Sequence, residues 1–317
     1  NIMNVFPIGE YIRQGRLDQK LTQEKLCEGI CESATLSRLE NGTQTPSRNR
    51  VIALLQRLGL PDDRFYALLT PNEMEIAVLQ KEISAASVWY SSQEGEKKRQ
   101  AREEGLAKLK KLEKITERED KITQQYILCM RVIFGTPEGN YPPEEQLPML
   151  MEAIRMTVPK FDPEEINSRL YSIDETRVID RIASAYSRSG DHDKAADIYN
   201  QLLKYVDKHY QQITLSAGYI PLITNNYAIT LGHCKRYEKA IEIAERGWEA
   251  CVKRVEYRFL PSLIHTIAEC YYYLGDLEKS REFYYRAYYI YKAVGNQPNC
   301  DILKKEAKEH LDIEFKD

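Results

Sequence analysis

Apolar residues recur every three to four positions along most of the chain, the spacing of one buried helix face. In the first seventy residues they fall into short runs: Ile8 and Ile12; Leu21, Leu26 and Ile30; Leu36 and Leu39; Val51, Leu54, Leu55 and Leu58. The breaks between runs carry helix punctuation. Thr22 is placed to cap a helix with Gln23 and Glu24 in its first turn, and Ser33 to cap the next. Asn41-Gly42 ends that helix, because glycine accepts the left-handed backbone of a C-terminal cap. Ser47, after Pro46, is a third N-cap. Pro61-Asp62-Asp63 opens a fifth short helix running to Leu69, and Thr70-Pro71 closes the unit.

Residues 73–119 are helical and charged. Within 94–119 the apolar positions Leu106, Leu109, Leu112 and Ile115 run too briefly for a free coiled coil. They fit one face of a packed helix. The segment 135–143 is a Gly/Pro loop, and short helices at 144–157 and 163–170 are expected after it.

From about residue 174 a longer period appears. Ala185-Tyr186, Gly190-Asp191, Lys194-Ala195 and Tyr199 form one copy. Ala268, Tyr271, Gly275-Asp276, Lys279-Ser280 and Tyr284 form a second. Between them Ala228 and Leu231 lead to Tyr237-Glu238-Lys239-Ala240, with Lys235-Arg236 where the other copies have Gly-Asp. The small residues Ala195, Ala240 and Ser280 mark close helix crossings, 45 and 40 residues apart. The terminal aromatic fills the groove to the next helix pair. This repeat resembles the tetratricopeptide unit with lengthened helices. Residues 73–170 have room for degenerate copies, and 298–315 suits a capping helix.

A second resemblance is carried by residues 21–42, LTQEKLCEGICESATLSRLENG, preceded by GEYIRQGR at 9–16. It covers residues 8–69 and is similar to the helix-turn-helix of the lambda-repressor/Cro class. The turn is one residue shorter than the commonest form. A helix capped at Ser33 turns Leu36 and Leu39 inward and presents Ser33, Ala34, Thr35, Ser37 and Arg38 outward, where short polar side chains reach base edges in a major groove. Gln23 at a helix N-terminus, Asn41, and Ser47-Arg48-Asn49 are candidate phosphate contacts.

A helix-turn-helix ahead of tetratricopeptide repeats resembles the RRNPP group of regulators, especially its PlcR-like branch. That resemblance implies a quorum-sensing transcription regulator that binds double-stranded DNA and a short signalling peptide on the concave face of its array. It also implies a homodimer. Counting back from each turn, the concave positions are Arg177, Asp180, Arg181 and Ser184 in the first repeat. They are Leu222, Asn225, Asn226 and Ile229 in the second, and Ser262, His265, Glu269 and Tyr272 in the third. Asn225-Asn226 stands out, since a side-chain amide both donates to and accepts from a peptide backbone. Arg177 or Arg181 suits a carboxylate. Two other readings remain open: a DNA-binding repressor whose repeats bind a protein partner or only dimerise, and an array that acts on a response regulator.

Composition sharpens this picture in a few places. The chain has 317 residues, enough for two domains, and a formal net charge of −3. Residues 1–70 hold nine basic and eight acidic side chains, so the N-terminal unit is only marginally positive and one copy should hold DNA weakly. Seventeen of the 22 tyrosines lie at or beyond Tyr171, where they serve inter-helix packing. The seven cysteines lack paired spacing, and Cys27 and Cys31, four apart, are expected to pack as reduced thiols on one helix face. With no secretory signal and no long apolar run, a cytoplasmic protein with no membrane span is expected. No phosphate-binding loop, dinucleotide fingerprint or zinc-ligand spacing occurs, so no enzyme activity, cofactor or metal is expected. The expected architecture is all-α. A lambda-repressor-like helix-turn-helix domain covers residues 1–70, and a helical linker with the first array helices covers 71–120. A right-handed tetratricopeptide-type helical array for peptide sensing and dimerisation covers 121–317.

Overall fold

The computed structural model describes residues 8–44, 46–61, 70–91, 93–211, 219–255 and 257–315. Among them are fifteen α-helices and no strand. Helices α1 (Ile8–Asp18), α2 (Gln23–Cys27), α3 (Ser33–Glu40) and α4 (Arg48–Arg57) form the N-terminal unit. Ile12, Leu26, Leu36, Leu39, Leu54 and Leu55 meet in its core and are almost wholly removed from water. The periodicity therefore places each apolar face correctly. The fifth helix expected after Pro61 lies on residues 62–69, outside the described residues.

Local chemistry explains the ends of these helices. Thr22 caps α2, its hydroxyl accepting from the Lys25 N–H at 3.2 Å. The expected Ser33 cap is corrected: Glu32 is the N-cap residue of α3, and Ser33 is already helical. Ser47 does precede α4, but its side chain makes no cap bond. A carboxylate does that work instead, Glu73 accepting from the Arg48 N–H at 3.1 Å. Cys27 and Cys31 do not share a helix face, because α2 ends at Cys27.

The remaining helices come as antiparallel pairs followed by a last single helix. These are α5 (Pro71–Ser91) with α6 (Gly95–Ile115), α7 (Lys121–Phe134) with α8 (Pro143–Thr157), and α9 (Ile173–Arg188) with α10 (His192–His209). Next come α11 (Tyr219–His233) with α12 (Tyr237–Arg254), then α13 (Leu260–Tyr273) with α14 (Leu277–Ala293), and finally α15 (Gln297–Leu311). Each pair packs on its neighbours in sequence, the plan of a solenoid. Helix α6 is a packed helix, burying Ala101, Leu109 and Leu112 against its neighbours. The helix expected at 163–170 is reduced to a 3-10 turn, Ile166–Ser168, within a stretch holding Pro159 and Pro163.

Ala195, Ala240 and Ser280 are fully buried at the crossings within three pairs, where a larger side chain would force the helices apart. The turns share one backbone pattern. The N–H groups of Asp191, Arg236 and Asp276 donate to the carbonyls of Tyr186, Leu231 and Tyr271, five residues back, at 2.9 to 3.0 Å. The residue before each donor is left-handed: Gly190 at φ 90°, Gly275 at φ 83°, and Lys235 at φ 59°. Lys235 thus adopts the glycine conformation at a cost of roughly 1–2 kcal/mol. The same pattern recurs after α14, where Asn296 donates to Tyr291 and Gly295 is left-handed.

The N-terminal unit sits on the array through a buried cation. Arg57, at the end of α4, pairs with Glu175 of α9 at 2.8 Å, both side chains 2% exposed. Its other N–H groups donate to the carbonyls of Leu26, Glu28 and Thr157. Beside it, Gln56 accepts from the Ile173 N–H at 2.9 Å. Gly29 lies so close to α8 that a Cβ on it would stand 2.0 Å from the Thr157 carbonyl oxygen.

Candidate functional site

Two places carry the chemistry expected of the sequence. One is the outer side of α3. Ala34, Arg38 and Asn41 are exposed, and Thr35 and Ser37 are half-buried. Arg38 reaches only Gln44, at 3.4 Å on the surface. Glu40, its natural competitor as a partner, is already bound: Arg16 holds both carboxylate oxygens at 2.7 Å. Arg16 also donates to the Leu21 carbonyl. Burial pushes the Glu40 carboxyl up, but hydrogen bonds from Arg16 and Gln23 and the Arg16 charge outweigh it, leaving the group below the usual carboxylate range. This pair ties α1 to α3 and sets the aim of α3.

The other expected members of this surface are less free. Gln23 donates to Glu40 at 2.7 Å, so it braces α3 instead of standing ready for a phosphate. Ser33 lines a cavity of about 530 Å³ between the N-terminal unit and the array, shared with Cys27, Cys31, Arg57 and Arg169. There the Cys27 thiol is held below its ordinary range, chiefly by a hydrogen bond from Cys31 and against the opposing effect of burial. Asn49 donates to Thr123 of α7 at 3.4 Å, and the Arg48 backbone N–H is taken by Glu73. The Asn49 amide thus serves the junction, while Ser47 and Arg48 are half-buried at the start of α4.

The second place lies on α9, α11 and α13. Asp180 and Asn225, expected to face a groove, are 1% and 7% exposed at the seam between α9 and α11. Asn226 donates to Asp180 at 2.9 Å, and Asn225 donates to Asn226 at 3.3 Å. Burial raises the Asp180 carboxyl above its ordinary range, opposed by the Arg181 charge and the Asn226 hydrogen bond. The Asn225 carbonyl oxygen is buried without a hydrogen-bond partner. An unsatisfied buried amide acceptor costs about 1–3 kcal/mol and is rare in native folds.

Around this seam, Arg177 is exposed and pairs with Asp174 at 2.9 Å. Arg181, Leu222, Ser262 and Tyr272 are half-buried, and Ile229 is exposed. Ser184 accepts from Arg188, which also donates to Gln146. At the α13 end, His265 bonds Glu306 of α15 at 2.6 Å, and Tyr272 stacks on His310 with centroids 4.0 Å apart. Glu269, beside them, has its carboxyl raised by burial and by Glu306, with His265 opposing. Glu306, His310, Arg57 and Glu175 were not singled out from the sequence. Each acts through a partner far along the chain, 118 residues away for Arg57 and Glu175, and no local spacing reveals such a pair.

The helix-turn-helix domain family matches residues 7–68, and the tetratricopeptide repeat matches residues 176–205 and 261–293. No curated protein matches the chain in sequence. Among solved structures, Bacillus thuringiensis PlcR in complex with the peptide PapR7 and DNA is 17% identical with a TM-score of 0.58, covering 94% of this chain and 98% of PlcR. The apo form of PlcR gives 16% and 0.55, covering 93% and 97%. The apo form of the competence regulator ComR from Streptococcus vestibularis gives 14% and 0.52, covering 96% and 98%. At these identities the likeness is one of fold. The chain joins a helix-turn-helix domain to tetratricopeptide repeats in the all-α architecture that PlcR displays.

Proposed function

We propose that this protein is a sequence-specific DNA-binding transcription regulator controlled by a short peptide held across α9, α11 and α13. The observation that carries the peptide half is the Asn225 carbonyl oxygen, buried and unpartnered beside the Asp180–Asn226 pair. Such a group accepts an N–H from an extended backbone, and the adjacent amide supplies a second contact. The DNA half rests on α3, whose Ala34, Thr35, Ser37 and Arg38 lie on one outward side, braced by Arg16 and Glu40. The fold shared with PlcR, which was solved with both a peptide and DNA, supports both halves. The N-terminal unit is only marginally basic, so binding to DNA as a homodimer is part of this reading.

Two measurements test it. A gel-shift assay at low salt on the DNA flanking the gene should show a complex, and its absence would remove the DNA half. Titration calorimetry with short hydrophobic peptides should show saturable binding that Asn225→Ala or Asn226→Ala weakens about tenfold or more, the loss of one or two good hydrogen bonds. Equal affinity in both variants would remove the clamp.

A further inference from the structure

A third cluster, which shares His265 and Glu269 with the expected peptide face but stands on its own geometry, lies where α13 meets α15. The structure assigns a divalent transition-metal site to His265, Glu269 and Glu306, whose ligand atoms all lie within 4.8 Å of one another. His265 and Glu269 are four residues apart on α13, so both project from the same helix face. Glu306 comes from α15 and already touches His265, with Nε2 and Oε2 2.6 Å apart. One imidazole nitrogen and two carboxylate oxygens therefore converge from two helices.

The electrostatics of the cluster call for a cation. Two carboxylates face each other, and His265 hydrogen-bonds only one of them. Among the described residues Glu269 makes no hydrogen bond or ion pair with Lys or Arg, and the charges acting on it are His265 and the like charge of Glu306. A metal ion would satisfy all three groups at once and replace one short hydrogen bond with three ligand bonds.

The surroundings are suited to holding the imidazole still. Tyr284 and Tyr291 pack on the His265 ring at 5.8 and 6.3 Å between centroids. The Tyr284 hydroxyl is itself tied to His310 Nδ1 at 2.7 Å. The two tyrosine rings restrict rotation of the imidazole.

The donor set also selects the metal. Calcium and magnesium take all-oxygen cages. A nitrogen with two carboxylates suits zinc and its first-row neighbours, at ligand distances near 2.0–2.2 Å. Three protein ligands leave one position of a tetrahedral zinc for water or for a group brought by a bound molecule. No spacing rule would find this site in the sequence, because Glu306 lies 41 residues from His265.

The test uses the full chain, stripped with a chelator and kept reduced. Calorimetric titration with zinc chloride should show one ion per chain at micromolar affinity or tighter. His265→Ala, Glu269→Gln and Glu306→Gln should each weaken it at least tenfold, with circular dichroism confirming the helical fold. Zinc should also raise the thermal midpoint of the parent protein and not of the variants. Titration with cobalt chloride should give visible bands of nitrogen–oxygen coordination without thiolate charge transfer. The proposal is overturned by absence of stoichiometric binding, by affinity unchanged in the variants, by thiolate bands that place the ion on the cysteines, or by calcium binding equally well.

Discussion

Replacing Glu175 with alanine should loosen the N-terminal unit from the array. Glu175 accepts from Arg57 at 2.8 Å and from the Ser172 N–H at 2.6 Å, the second bond closing the capping box of α9. Glu175→Ala leaves the Arg57 guanidinium buried, held by three carbonyl oxygens and no counter-charge. Breaking a buried pair from one side costs about 3–5 kcal/mol, and loss of the cap adds about 1 kcal/mol. At roughly 2–4 °C per kcal/mol, the thermal midpoint should fall on the order of 10 °C. Calorimetry is the assay, and the N-terminal unit should melt ahead of the array. The double variant Arg57→Met, Glu175→Leu removes both charges and should recover most of the loss, since apolar replacement of buried pairs is often neutral. A single variant that loses less than about 1 kcal/mol, or a double variant no better than the single, would refute the view that the unpaired charge is what matters.

Two further outcomes are expected. Arg38→Ala should weaken binding to a cognate operator by about 1–3 kcal/mol in a gel-shift titration while leaving the thermal midpoint unchanged, because Arg38 makes only one long surface contact. Asp180→Asn should raise stability at neutral pH. The folded carboxyl sits above its unfolded value, so its favourable contribution is present below the unfolded value near pH 3.9 and is lost as pH rises through the folded one. Unfolding curves from acid to neutral pH should therefore be flatter in the variant than in the parent.

The helical architecture was legible because its signals are local. Apolar spacing located the four N-terminal helices within the described residues, and Gly-Asp turns with buried Ala195 and Ser280 located two helix pairs. The middle pair was legible from Ala240 even though Lys235 supplies the left-handed turn by strain instead of by glycine. What was not legible depends on contacts between distant residues. The outward arc of α3 could be drawn from one helix, but Gln23 turns to Glu40 and Asn49 turns to the array. Asp180 and Asn225 could be placed on α9 and α11, but not their burial, which depends on how closely those two helices approach. His265 and Glu269 were chosen from one helix, and Glu306, which changes their meaning, comes from another.

Glu175 near the start of α9 grips the N-terminal unit, and Asp180 meets the Asn225–Asn226 seam five residues on, about 7.5 Å along the axis. One stiff rod therefore carries the grip at one end and the polar seam a turn and a half away. Any roll of α9 that re-seated Asp180 would also move Glu175, and with it the footing of Arg57. Coupling of the two regions would then need only leverage over this single helix, with no chain of intermediates to traverse.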